Sequence, residues 1–81
     1  MDALEQLLQF LLTLRENKIH FSLDCVREAI MVTVPTPSQY YEIEFFADGH
    51  IETQTFGPCS EVQRISLQAI TQKVIRDVNG T

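Results

Sequence analysis

The sequence contains no long uninterrupted apolar run. Behind Met1 the apolar residues are broken by Asp2, Glu5, Gln6 and Gln9, so neither a secretory leader nor a membrane span is expected. There is no Cys-x-x-C spacing and no companion His pair at metal-ligand distance. Cys25 and Cys59, the two cysteines, are therefore expected as reduced thiols in a cytoplasmic protein. Positive charge is scarce: six Lys and Arg stand against eleven Asp and Glu, a net charge of −5, which opposes association with nucleic acid phosphates and anionic membranes. No glycine-rich phosphate loop or nucleophile motif is present, so no enzyme activity and no cofactor is expected. No low-complexity tract, internal repeat or linker interrupts the chain. With 44% apolar and 21% charged residues, it reads as one folded domain over residues 1–81, with a modest core because so short a chain buries a small share of its surface.

What is present is organised around residues 40–56, YYEIEFFADGHIETQTF. The segment reads as a β-hairpin turning at Asp48-Gly49, and it holds Glu42, Glu44, Asp48 and Glu52 without one Lys or Arg. The rest of the chain is near neutrality, with seven acidic against six basic residues. A two-residue Asp48-Gly49 loop would mix apolar and charged residues on both faces. A three-residue loop, Ala47-Asp48-Gly49 with Gly49 left-handed in a bulge, pairs Phe46 with His50 and Phe45 with Ile51. Tyr41, Ile43, Phe45, Ile51, Thr53 and Thr55 then face a core, and Glu42, Glu44, Phe46, His50, Glu52 and Gln54 face away. The second register is expected, because a slip of one residue would turn charges inward.

A first helix is expected over residues 2–16, capped by Asp2 with Glu5 as its capping-box partner. Its stripe of Leu4, Leu7, Leu8, Leu11 and Leu14, widened by Phe10 and Leu12, suggests cover on more than one side. Asn17 is the expected left-handed stop. Period-two patterning predicts strands over 18–23 and 29–34 with a turn region at 24–28, a helical turn over 24–29 being a second reading, and Pro35 and Pro37 end the second strand. Gly57-Pro58 breaks the hairpin's last strand. Ser60, with Gln63 as partner, is expected to open a final helix burying Val62, Ile65, Ala69, Ile70, Val74 and Val78 and stopped by Asn79-Gly80. The fold expected is α+β: a four-stranded antiparallel meander with a helix before and after it, in two layers, one sheet face left open.

That open face is the candidate site. Glu44 opposite Glu52 is an unfavourable like-charge pair, which suggests a surface for Lys- and Arg-rich partners, or a sheet face kept soluble and guarded against aggregation. Outward aromatic residues, Tyr40, Phe46 and Phe56, interleave with the carboxylates as anchors do in binding hot spots. Convergence of Glu44, His50 and Glu52 on a cation is not expected, since calcium needs six to eight oxygens, nor is paired-carboxylate hydrolysis without a cleft. A Cys-His nucleophile drawn from Cys25 or Cys59 with His20 or His50 lacks an orienting third group.

The run from Arg27 to Phe56 resembles a pattern in small, mostly uncharacterised bacterial proteins. In those an Ala-Ile-Met-Val-like strand (here Ala29 to Val32) precedes a Tyr-Glu-Ile-Glu-Phe strand (Tyr41 to Phe45), an Asp-Gly turn (Asp48-Gly49) and a second Glu-bearing strand (Ile51-Glu52). Such proteins are similar in size and acidity to immunity proteins that neutralise toxins. Taken with the acidic face of the hairpin, the function expected is a non-catalytic protein-binding domain, an inhibitor of the immunity or antitoxin kind, docking a basic protein through Glu42, Glu44, Phe46, His50, Glu52 and Gln54. The alternative, from another class, is a homodimer or assembly subunit pairing through the first helix or a sheet edge.

Overall fold

A computed structural model describes residues 2–37, 39–56 and 62–79, apart from the side chains of Thr55 and Phe56. The chain is α+β: helix α1 (Ala3–Glu16), strands β1 (Ser22–Val26), β2 (Ala29–Pro35), β3 (Tyr40–Phe46), β4 (Ile51–Phe56) and β5 (Val62–Ile65), then helix α2 (Leu67–Val78). The five strands form one antiparallel sheet in sequence order, with β3 central. Both helices contribute to the core on one face. Phe10 and Leu14 from α1, and Ile70 and Val74 from α2, are packed with Val32, Val34, Tyr41, Ile43, Phe45 and Ile51.

The first helix begins as its sequence dictates, the Asp2 carboxylate accepting the Glu5 main-chain N–H at 2.8 Å. Its end differs from expectation in one residue. Lys18, not Asn17, is left-handed (φ 58°). Lys18 N–H donates to the Arg15 carbonyl at 3.0 Å and Ile19 N–H to the Leu14 carbonyl at 2.9 Å, the bonding pattern of a Schellman stop, completed by the apolar pair Ile19 and Leu14, both buried.

That stop explains a correction to the first strand. Residues 18–21 are not strand; Ile19 is spent closing the helix and entering the core, and β1 runs over Ser22–Val26 instead. Only Arg27 and Glu28 turn between β1 and β2, because Val26 pairs directly with Ala29. Arg27 takes the positive φ (56°) that so tight a connection requires. Neither residue carries the usual turn chemistry, which is why the sequence suggested a longer turn.

The second correction lies at the other end. The sequence predicted four strands, but residues 62–65 form a fifth, pairing Ile51 with Ile65 and Glu52 with Arg64. The final helix therefore starts six residues later than expected. Its cap is Ser66, whose hydroxyl accepts the Ala69 N–H at 3.1 Å. Val62 is exposed on the strand, not buried in a helix. The expected cap Ser60 lies outside the described residues, as do Gly57-Pro58 and Cys59. Along the helix, Ile70 and Val74 are buried as expected, whereas Ala69 is exposed.

Candidate functional site

The hairpin of β3 and β4 adopts the three-residue loop. Gly49 is left-handed (φ 95°), its N–H donates to the Phe46 carbonyl at 3.0 Å, and Phe46 N–H donates to the His50 carbonyl at 3.1 Å. Phe45 consequently faces Ile51, Glu44 faces Glu52 and Glu42 faces Gln54. Tyr41, Ile43, Phe45, Ile51 and Thr53 are buried on the helix side. Strand alternation sends Glu42, Glu44, Phe46, Glu52 and Gln54 to the opposite face, His50 lies beside them against Phe46 and Glu52, and all six are half-buried. The turn is tied to α1 from the core side, where the Gln6 side-chain amide donates to the Gly49 carbonyl at 2.8 Å.

The like-charge pair at the centre is not left bare. Arg27 reaches across from the β1–β2 turn and places Nη2 at 2.9 Å from Glu44 Oε2. His50 lies between two carboxylates, with Nδ1 at 2.5 Å from Asp48 Oδ1 and Nε2 at 2.9 Å from Glu52 Oε2. Its ring also stacks on Phe46, the centroids 4.1 Å apart and the planes 9° from parallel. The exposed Asp48 carboxylate accepts the His50 main-chain N–H at 2.9 Å. That bond, followed by the His50 side chain and more weakly by Arg64, holds Asp48 below its ordinary value.

Sequence reasoning found the six face residues and missed the cations that flank them. The hairpin itself holds no Lys or Arg, but the β1–β2 turn brings Arg27 to one side and β5 brings Arg64 to the other. The signal for Arg64 was cross-strand charge complementarity: read as a strand, Val62-Gln63-Arg64-Ile65 sets a base opposite Glu52 and an apolar residue opposite Ile51. Of the carboxylates on this face, Glu42 has no hydrogen-bond or ion-pair partner among the described residues.

The chemistry available here is electrostatic. Glu44 is turned to Arg27 and not toward His50, and among the described residues no three His, Cys, Asp or Glu side chains are placed to hold a metal ion. Cys25 is a free, exposed thiol on β1. Tyr40 is exposed beside the face. Among the described residues no helix is long and apolar enough to cross a membrane. No protein family, no curated protein and no solved structure matches this chain.

Proposed function

We propose that this chain is a non-catalytic protein-binding domain, an inhibitor of the immunity or antitoxin kind, that docks a partner with a basic surface through the open face of its sheet. The supporting observation is the row of Glu42, Glu44 and Glu52 on the adjacent interior strands β3 and β4, on the side away from both helices. Glu42 and Gln54 offer unengaged acceptors at one end. Phe46, stacked on His50, offers a flat aromatic edge at the other. A partner's Arg or Lys would meet Glu42 first and compete with Arg27 and His50 for Glu44 and Glu52, so binding exchanges internal ion pairs for intermolecular ones. Such an exchange favours selectivity and a fast encounter over raw affinity.

The test is capture of a partner by the immobilised chain, compared with the E44K/E52K double variant. Loss of the captured protein by a variant that still unfolds cooperatively is the expected result, its melting temperature somewhat lowered because the reversal breaks the Arg27–Glu44 pair and sets a lysine opposite Arg64. Capture that survives both reversals removes the sheet face as the interface.

A further inference from the structure

The broad leucine stripe of α1 is only partly used by the core. Leu7, Phe10 and Leu14 point at the sheet. Gln6, Gln9 and Thr13 line a groove toward α2, facing Ser66, Gln68 and Thr71. At 100° per residue, Leu4, Leu8 and Leu12 fall on an arc that runs from the side away from α2, at Leu4, to the outward crest of the helix, at Leu12, and they are 72%, 53% and 46% exposed. Three leucines in one row at i, i+4 and i+8 are not the scattered apolar residues of an ordinary surface.

The row continues onto the sheet. Leu23 and Cys25 pair with Val32 and Ile30 and so lie on the helix-covered face, yet α1 does not reach them: Leu23 is 52% exposed and Cys25 is exposed. Between the helix and this edge runs an open groove of about 310 Å³, lined by Leu4, Leu7, Cys25, Ile30 and Phe45. Apolar surface therefore extends from the outer flank of α1 to the edge strand β1.

Charge indicates what covers it. The start of α1 is acidic, with Asp2 and Glu5; its end carries Arg15 with Lys18 just beyond, beside Glu16. A surface whose charge changes sign along its length is self-complementary when turned end to end about a two-fold axis. The open sheet face is not, since a two-fold contact there would set Glu42, Glu44 and Glu52 against their own copies.

We propose that the flank of α1, with the groove beside β1, seats a second copy of this chain, the two first helices packing antiparallel about Leu8. Leu4 then lies beside Leu12 of the second copy, and Glu5 comes within reach of Arg15 of the second copy, because both side chains lean toward the N-terminus of their own helix and so toward one another. The helix dipoles also run opposed. The helix is short, about 21 Å, so the pairing is a micromolar one and leaves the sheet face free.

Sedimentation velocity across the micromolar range tests this, with Leu8→Lys, Glu5→Arg, the exchange Glu5→Arg/Arg15→Glu, and E44K/E52K as comparison. The expected result is a concentration-dependent two-chain species for the wild type, weakened at least about tenfold by L8K and by E5R, restored by the charge exchange, and unchanged by E44K/E52K. Because Leu8 and Glu5 are exposed, the variants should fold, and circular dichroism checks that they do. A wild-type chain that stays monomeric throughout overturns the proposal. So does an L8K chain that still pairs, which would move the contact to the β1 edge, or an E5R defect that the exchange fails to repair. Dimerisation that responds to E44K/E52K also overturns the proposal, because the pairing proposed leaves the sheet face free.

Discussion

The Tyr41 hydroxyl donates a hydrogen bond to the Asp77 carboxylate, joining the central strand to the last turn of α2. An acid at a helix C-terminus opposes the dipole, and this partner accounts for its presence. Tyr41 is fully buried, so its ring fills the core while its oxygen holds the helix end. Replacing Tyr41 by Phe should destabilise the fold by about 1.5–3 kcal/mol, the range for a hydrogen bond to a charged acceptor. Urea unfolding of Tyr41→Phe, Asp77→Asn and the double variant should give a coupling energy of the same sign; simple additivity would mean that the bond contributes nothing.

The same pair sets an alkaline limit. Burial first, and then the bond and charge of Asp77, push the Tyr41 hydroxyl well above the ordinary tyrosine range. The folded protein thus holds this proton more tightly than the unfolded chain. Its contribution is fully present below about pH 10, where an unfolded tyrosine titrates, and is lost as pH rises from there. Melting temperatures measured upward from pH 9 should fall more steeply for the wild type than for Tyr41→Phe.

Lys18 occupies a left-handed position that glycine adopts without strain. Lys18→Gly should stabilise the protein by about 1 kcal/mol, because the side chain is exposed and only the backbone geometry matters. A lower denaturant midpoint for this variant would show that Lys18 makes a contact worth more than its strain.

Thr53 is buried on the core face, and among the described residues its hydroxyl finds no hydrogen-bond partner. Thr53→Val preserves the shape and removes the unsatisfied group, so a gain of about 1 kcal/mol is expected. Thermal unfolding decides the point, since a loss would indicate that the hydroxyl is solvated.

At the hairpin turn, Asp48 is held below its ordinary value chiefly by the His50 main-chain N–H. A depressed carboxylate contributes stability above its unfolded value of about 3.9 and loses it as pH falls. Asp48→Ala should be less stable than the wild type at neutral pH, and the difference should close in acid. Gly49→Ala at the neighbouring position should cost about 1 kcal/mol or more from its positive φ alone, because a Cβ there would meet Gln6 Nε2 at an ordinary 3.5 Å.

The hairpin was legible in the sequence because two constraints agreed. Only one register sorts apolar from charged residues, and Asp48-Gly49 supplies the turn that this register needs. Residues 18–28 were less legible: Ile19, Phe21 and Leu23 alternate as a strand would, but the Schellman stop consumes Ile19, and no local signal marks Arg27 for a left-handed turn. Residues 62–65 were misread because Val62 and Ile65 are three apart, a spacing that suits a helix. What made them a strand is long-range, namely the free edge of β4 offering hydrogen bonds and Glu52 offering a charge to Arg64. The six residues of the open face followed from the register alone, whereas Arg27 and Arg64 depended on strands whose limits the sequence did not mark.

The order of the strands bears on how the molecule assembles. Every pairing in the sheet joins neighbours in sequence, so each hairpin closes over a short loop at little entropic cost and the sheet can zip outward from β3 and β4. The helices come from opposite ends of the chain and meet over the same core face. Their docking is the one step that requires distant segments to find each other. Because α2 follows the sheet in the chain, the strands are synthesised before the helix that closes half of their core face, and α1 alone covers that face until α2 docks.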